Sequence, residues 1–270
     1  MPIRYYVDLN CIPREELGAA YLLELIVTRE RADAMRAKFI EKYQLDDESR
    51  MRFQEKKQAA QGADESRERS VAELRAETAA LDEYAHHCAG CPAALAGSPY
   101  SCTQAIGLPI SLAAQQWLLA RLAPGGTRSL ALFLEAANLH GYGKAPALVN
   151  WRKAGIMEGE KPPQEERGAV IVTADQILNE ILLVGDVMPN HALGVLIHLQ
   201  ALAASDGRRG DDLLKLIEHV DETAVAGDAP SIDFDIAEDQ ADDESTRDMK
   251  LFLYAIFRAF SLQVPVAIRV

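Results

Sequence analysis

The feature that most constrains the fold is the segment from His86 to Cys102, which holds three of the chain's four cysteines. In Cys88-Ala89-Gly90-Cys91 the spacing lets two thiolates bind one metal ion, because the chain between them can turn tightly and point backbone N–H groups at sulfur. Cys102 follows Cys91 by eleven residues, and a loop of that length can return a third sulfur. The sequence therefore predicts a cysteine-rich metal knuckle.

Residues 14–87 carry a helical pattern rich in Arg, Glu and Ala. A first helix is predicted to run to about Tyr43, a second to about Ala60, and a third from near Ser66, with a heptad-like seam that reaches Cys88. The seam of the first helix recurs at alternating steps of four and three: Tyr21, Leu25, Thr28, Ala32, Met35 and Phe39. We expect a long-helix hairpin, either a bundle with solvated charges or a projecting coiled coil that forms a homodimer or docks a protein partner.

A tetrahedral metal site needs a fourth ligand, and two kinds of side chain could supply it. His87 or His86 would complete a set of three thiolates and one imidazole. Cys11 would complete an all-cysteine set, because an antiparallel arrangement of the first and third helices returns the end of the third toward Cys11. We favour the all-cysteine set and expect one histidine to donate a hydrogen bond to a thiolate. The candidate ligands are Cys88, Cys91, Cys102, Cys11 and His87.

Zinc is the predicted metal, because it suits a closed set of cysteine and histidine ligands. An iron–sulfur cluster also takes four cysteines and is the alternative; Pro92 after Cys91 is similar to the Cys-Pro ending of some ferredoxin runs. Two further interpretations need no metal. The cysteines could be ordinary core residues, or one of them could be a nucleophile beside His87.

The net charge of −13 is concentrated in residues 221–248, which alone carry −10. The remainder lacks the clustered Lys and Arg that phosphate backbones require, so we expect no nucleic-acid binding. The start of the chain has no secretory signal, and the most apolar run, 192–204, is too short to span a bilayer. We therefore expect a cytoplasmic protein with reduced thiols and no membrane insertion.

Alternating apolar residues predict a short strand near each terminus, over Ile3–Leu9 and Val264–Val270. The two strands could pair with each other, with residues 169–172, or with a partner's sheet. Beyond Ile110 the pattern predicts short helices separated by Gly and Pro, and Thr173 to Gln176 fits a capping box. The predicted helices span 111–122, 127–140, 146–153, 174–183, 189–204, 211–219 and 247–260.

These patterns predict a mainly α fold with two domains. Residues 1–109 would hold the first strand, the helical hairpin and the metal knuckle, and residues 110–270 a helical domain with the acidic segment 221–248. The expected function is non-enzymatic: a metal-binding, zinc-stabilised scaffold, adaptor or regulatory protein that acts through protein contacts. An iron–sulfur protein for electron transfer or redox sensing, and an enzyme without a recognisable motif, remain alternatives.

Overall fold

The computed structural model describes residues 2–58, 64–123, 133, 163–167, 170–182, 186–204, 207 and 232–269. The chain forms two units. The terminal unit comprises Met1–Leu9 and Ser101–Val270, and the inserted unit comprises Asn10–Tyr100. None of the described helices combines the length and the apolar composition needed to cross a membrane.

Helices and strands alternate along the described residues. The strands are β1 (Pro2–Val7), β2 (Arg52–Gln58), β3 (Asp64–Ser70), β4 (Thr103–Gly107), β5 (Gln164–Arg167), β6 (Val170–Thr173), β7 (Leu202–Ala204), β8 (Ile232–Phe234) and β9 (Val266–Arg269). The α-helices are α1 (Ile12–Leu17), α2 (Ala19–Tyr43), α3 (Val71–Glu77), α4 (Ala80–Tyr84), α5 (Leu112–Arg121), α6 (Ala174–Leu182), α7 (Pro189–His198) and α8 (Glu244–Leu262). A 3₁₀ helix spans Ala85–Cys88.

The predicted long-helix hairpin is wrong, because the segment taken for its second helix is a β-hairpin. β2 and β3 pair antiparallel, from Arg52 opposite Ser70 to Gln58 opposite Asp64. Opposite charges face each other across the strands, and the guanidinium of Arg69 lies 3.2 Å from the carboxylate of Glu55. Cross-strand pairs of this kind stabilise a sheet and here override the helix propensity of a sequence rich in Glu, Lys and Gln.

The predicted third helix is also shorter than expected, because it is divided. α3 begins only at Val71, where Ser70 caps it, and the chain leaves helical geometry at Thr78 before α4. Among the described residues of the inserted unit, α2 is therefore the one long helix, and it packs against α3. Ala32 of α2 is buried in a small apolar core, whose other buried members are Met51, Val71 and Leu74.

The capping box at the start of α3 gives a stability prediction. The Ser70 side chain accepts a hydrogen bond from the Glu73 N–H at 3.2 Å, and the Glu73 carboxylate accepts one from the Ser70 N–H at 2.9 Å. Ser70→Ala removes the first of these bonds, so we expect the free energy of unfolding in urea to fall by about 1 kcal/mol. Ser98→Ala, at an exposed position, is the control. Equal stability of the two variants would contradict the capping role.

The terminal unit is organised around a three-stranded antiparallel sheet with the order β4-β1-β9. Of the three pairings considered for the two terminal strands, the structure shows that they pair with each other, with Tyr5 opposite Ile268. Ile3 and Tyr5 point into the core, where the Tyr5 ring meets Phe252 of α8 edge-on, with ring centroids 4.7 Å apart. α8 starts earlier than predicted because Asp243 caps it, accepting a hydrogen bond from the Thr246 N–H at 2.8 Å.

Two further predicted helices of the terminal unit are confirmed. The helix over 111–122 is α5, capped by Ser111, and the helix over 174–183 is α6, whose first turn carries the Thr173–Gln176 capping box. Both were predictable because cap and helix lie within a few residues of each other.

The prediction over 189–204 is only partly right. α7 ends at His198, Gln200 adopts a left-handed backbone with φ 48°, and β7 then pairs with β8. The helices predicted over 127–140, 146–153 and 211–219 lie outside the described residues. The described strands form four separate small sheets, so the fold is mixed α and β, and the mainly α prediction is wrong.

Candidate metal centre

Three of the predicted ligands lie together in the inserted unit. Cys11 immediately precedes α1, Cys88 ends the 3₁₀ helix, and Cys91 follows in the next turn. None of the chain's cysteines forms a disulfide, and all of them are half-buried. The inserted unit therefore presents a thiol cluster, which we define as Cys11, Cys88 and Cys91.

Electrostatics shows that these thiols are neighbours in space, although Cys11 is remote from the other two in sequence. Burial is the main cause that raises the pKa of Cys11, and the charge of Cys91 raises it further. Burial likewise raises the pKa of Cys88, with smaller contributions of the same sign from Cys91 and Cys11. Cys11 and Cys88 therefore stay protonated at neutral pH unless a cation binds to them.

An apolar core holds the thiol cluster in place. Leu25 and Ile26 of α2 pack with Leu81 and Tyr100, and Cys88 lies against this group. Leu17 of α1 packs against the same core, which fixes the short helix that follows Cys11. The cluster is thus built on the packing of α1, α2 and α4.

Tyr100 belongs to this site although no sequence motif marks it. Its hydroxyl donates a hydrogen bond to the Leu81 carbonyl, and its backbone N–H bonds to Cys88, which lowers the pKa of that thiol. Its backbone is left-handed, with φ 62°. A left-handed tyrosine has no signature in sequence, because glycine and asparagine are the residues normally expected there.

The predicted cysteine knuckle is not observed. The Cys91 N–H donates to the Cys88 carbonyl oxygen at 3.2 Å, so the segment is a turn that ends a helix. Gly90, with φ 69°, provides that turn. Within the described residues no three His, Cys, Asp or Glu side chains are arranged so that they could hold a metal ion. The thiols are close enough to interact, but they are not placed as ligands around one point.

The other predicted ligands are His86 and His87, which lie in the 3₁₀ helix that ends at Cys88, and Cys102. His86 and His87 are exposed, and their rings pack on each other with centroids 3.8 Å apart. Cys102 belongs to the terminal unit, where its carbonyl accepts a hydrogen bond from the Val7 N–H at 3.1 Å. The structure thus brings together Cys11, Cys88 and Cys91 of the predicted ligands.

The acidic segment 221–248 is described only from Ile232 onward, and several of its acids have structural roles there. Asp242 forms an ion pair with Lys250, and Asp243 caps α8. Asp248 accepts a hydrogen bond from the Gly107 N–H at 3.3 Å, and burial raises its pKa. The acids that remain exposed are Asp233, Glu238, Asp239 and Glu244.

Comparisons of this chain with protein-family models, with curated proteins and with solved structures gave no match. No relative therefore supplies a substrate, a ligand or a partner. The function has to follow from the chemistry of the chain's own residues.

Proposed function

We propose that this chain is a metal-stabilised scaffold or adaptor protein, in which the thiol cluster binds a structural zinc ion. The observation that carries the proposal is the convergence of Cys11 with Cys88 and Cys91 at the edge of one apolar core. Thiolates are the ligands that structural zinc sites use most often. An ion bound there would join the start of α1 to the turn that ends the 3₁₀ helix.

The raised pKa values of Cys11 and Cys88 fit this proposal. Burial disfavours a thiolate that has no cation beside it, and a divalent ion offsets that cost when it replaces the thiol protons. Gly90, with φ 69°, gives the turn between Cys88 and Cys91 conformational freedom. Cys102 and His87 are the proposed candidates for a fourth ligand.

The proposed scaffold role is based on exposed side chains that are suited to protein–protein contacts. Tyr21, Ile40 and Tyr43 of α2 are exposed large side chains, and aromatic residues contribute strongly to protein interfaces. We propose a protein partner for this helix, with a second copy of the chain as one form that such a partner could take. Reduced thiols also fit a cytoplasmic setting, which belongs to the same proposal.

Elemental analysis tests the metal. Protein purified without oxygen and without chelators should be colourless and contain about one zinc per chain. Adding zinc to the metal-free protein in weak buffer should release protons, because buried thiols must ionise to bind it. Iron together with sulfide and visible absorbance would favour the iron–sulfur alternative instead. Absence of any bound metal, with no proton release on adding zinc, would contradict both.

A further inference from the structure

A cleft of about 730 Å³ lies within the inserted unit, between α2 and the β2–β3 hairpin. The inference drawn from this cleft does not depend on the function proposed for the thiol cluster. Its volume is in the range of ligand-binding pockets, which is roughly 300 to 1,000 Å³. The residues that line it are Tyr21, Glu24, Leu25, Thr28, Glu55, Arg67, Arg69 and Glu77.

One wall of the cleft is a single face of α2. Tyr21, Leu25 and Thr28 are positions of the predicted coiled-coil seam, and Glu24 lies beside them because residues three and four apart share a helix face. Leu25 is buried, whereas 49% of Tyr21 is exposed. This part of the seam therefore lines a cleft, and Leu25 also packs with Leu81 of α4.

The opposite wall is one face of the hairpin, where Glu55 lies directly across from Arg67 and Arg69 follows two positions later. The charged side chains at the inner end of this wall form a network of ion pairs. Arg69 bonds to Glu55 at 3.2 Å and to Glu77 at 2.5 Å, and Arg31 also bonds to Glu55. The Arg69 side chain is only 11% exposed, yet its Nε is buried without a hydrogen-bond partner among the described residues.

Two charged groups in the cleft have no partner among the described residues: the Glu24 carboxylate on the helix wall and the Arg67 guanidinium on the hairpin wall. They have opposite signs. Together the lining carries three carboxylates and two guanidinium groups, so a simple anion or a simple cation would meet repulsion as well as attraction. A ligand that carries both charges meets attraction at both walls.

We propose that this cleft binds a short peptide segment of a protein partner that carries one basic and one acidic side chain. The basic group pairs with Glu24 and the acidic group with Arg67. An apolar or aromatic side chain of the peptide packs on the Tyr21 ring.

A random heptapeptide library displayed on phage tests this proposal, with the full chain as the immobilised target. The selected peptides should be enriched in pairs of one acidic and one basic residue. A synthetic copy of the most enriched peptide, titrated by calorimetry, should bind at least about tenfold more weakly to Glu24→Lys and to Arg67→Glu, a loss of roughly 1.4 kcal/mol each. Glu41→Lys and Arg50→Glu, at exposed positions that do not line the cleft, should bind with unchanged affinity.

The double variant with Glu24→Arg and Arg67→Glu gives a further test, because it keeps both charges and exchanges their walls. A peptide with its acidic and basic residues exchanged should recover binding to this variant. The proposal is overturned if no charge-paired peptides are enriched, or if the cleft variants bind like the controls. It is also overturned if the chain self-associates through these residues, which would assign the cleft to a second copy. Zinc content, measured on the same samples, reports separately on the thiol cluster.

Discussion

Cys88→Ser and Cys91→Ser should each abolish zinc binding and lower the free energy of unfolding by at least about 4 kcal/mol. Structural zinc contributes about 10 to 16 kcal/mol to small folding units at neutral pH, and a serine hydroxyl is a much poorer ligand than a thiolate. Cys11→Ser should have the same effect, because Cys11 lies beside both thiols. The measurements are zinc per chain by mass spectrometry and unfolding in guanidinium chloride.

Two companion variants, Cys102→Ser and His87→Ala, identify the fourth ligand, since only the one that removes a ligand should lower the zinc content. Ser98→Ala, in the exposed loop between Cys91 and Tyr100, is the matched control for a neutral change in the same segment. Retention of zinc by both the Cys88 and the Cys91 variants would rule out the proposed site.

Asp242→Ala should destabilise the terminal unit by about 3 to 5 kcal/mol, because it leaves a buried lysine without its counter-charge. The Lys250 Nζ lies 2.6 Å from the Asp242 carboxylate, and the two side chains are only 9% and 8% exposed. The same ammonium donates to the Ala237 carbonyl at 2.9 Å and lies 5.7 Å from the centre of the Trp117 ring. These neutral neighbours do not replace the carboxylate.

The double variant Asp242→Ala with Lys250→Met is the control, since removing both charges from a buried site costs much less than removing one. A single Asp242→Ala variant as stable as the double variant would show that the pair is not a buried one. The pH dependence gives a second measure. The hydrogen bond from Lys250 lowers the pKa of Asp242 in the folded chain, so the stability it contributes is complete above about pH 4 and is lost as the pH falls further. Asp242→Ala should lack this part of the acid-induced loss.

Local signals explain which elements could be predicted from the sequence. The strand alternation at Ile3–Leu9 and the capping box at Thr173 involve residues within a few positions of each other, and both are found. The sequence pattern does not predict the β2–β3 hairpin, because its residues taken individually favour a helix. Only the cross-strand partners, such as Glu55 with Arg69, favour a strand. Helical periodicity along the sequence carries no information about such pairs.

In the candidate site, too, local features could be predicted from the sequence and contacts between distant residues could not. The spacing of Cys88 and Cys91 is a local signal, and it directs attention to the right turn. The sequence does not predict the surroundings of that turn, because Cys88 packs against Leu81 and Tyr100, and no motif marks Tyr100. That Cys11 lies beside them follows from the packing of α1 against α2, which leaves no mark on the sequence around Cys11.

The way the chain leaves and rejoins the terminal sheet has a consequence for its architecture. β1 and β4 are neighbouring antiparallel strands, and the Val7 N–H bonds to the Cys102 carbonyl, so the points of departure and return are adjacent. The inserted unit therefore lies in the connection between two strands that would otherwise form a simple β-hairpin. Excising Asn10–Tyr100 and closing the gap with a two-residue turn would connect β1 directly to β4. We therefore expect β1 and β4 to remain paired when the inserted unit is removed.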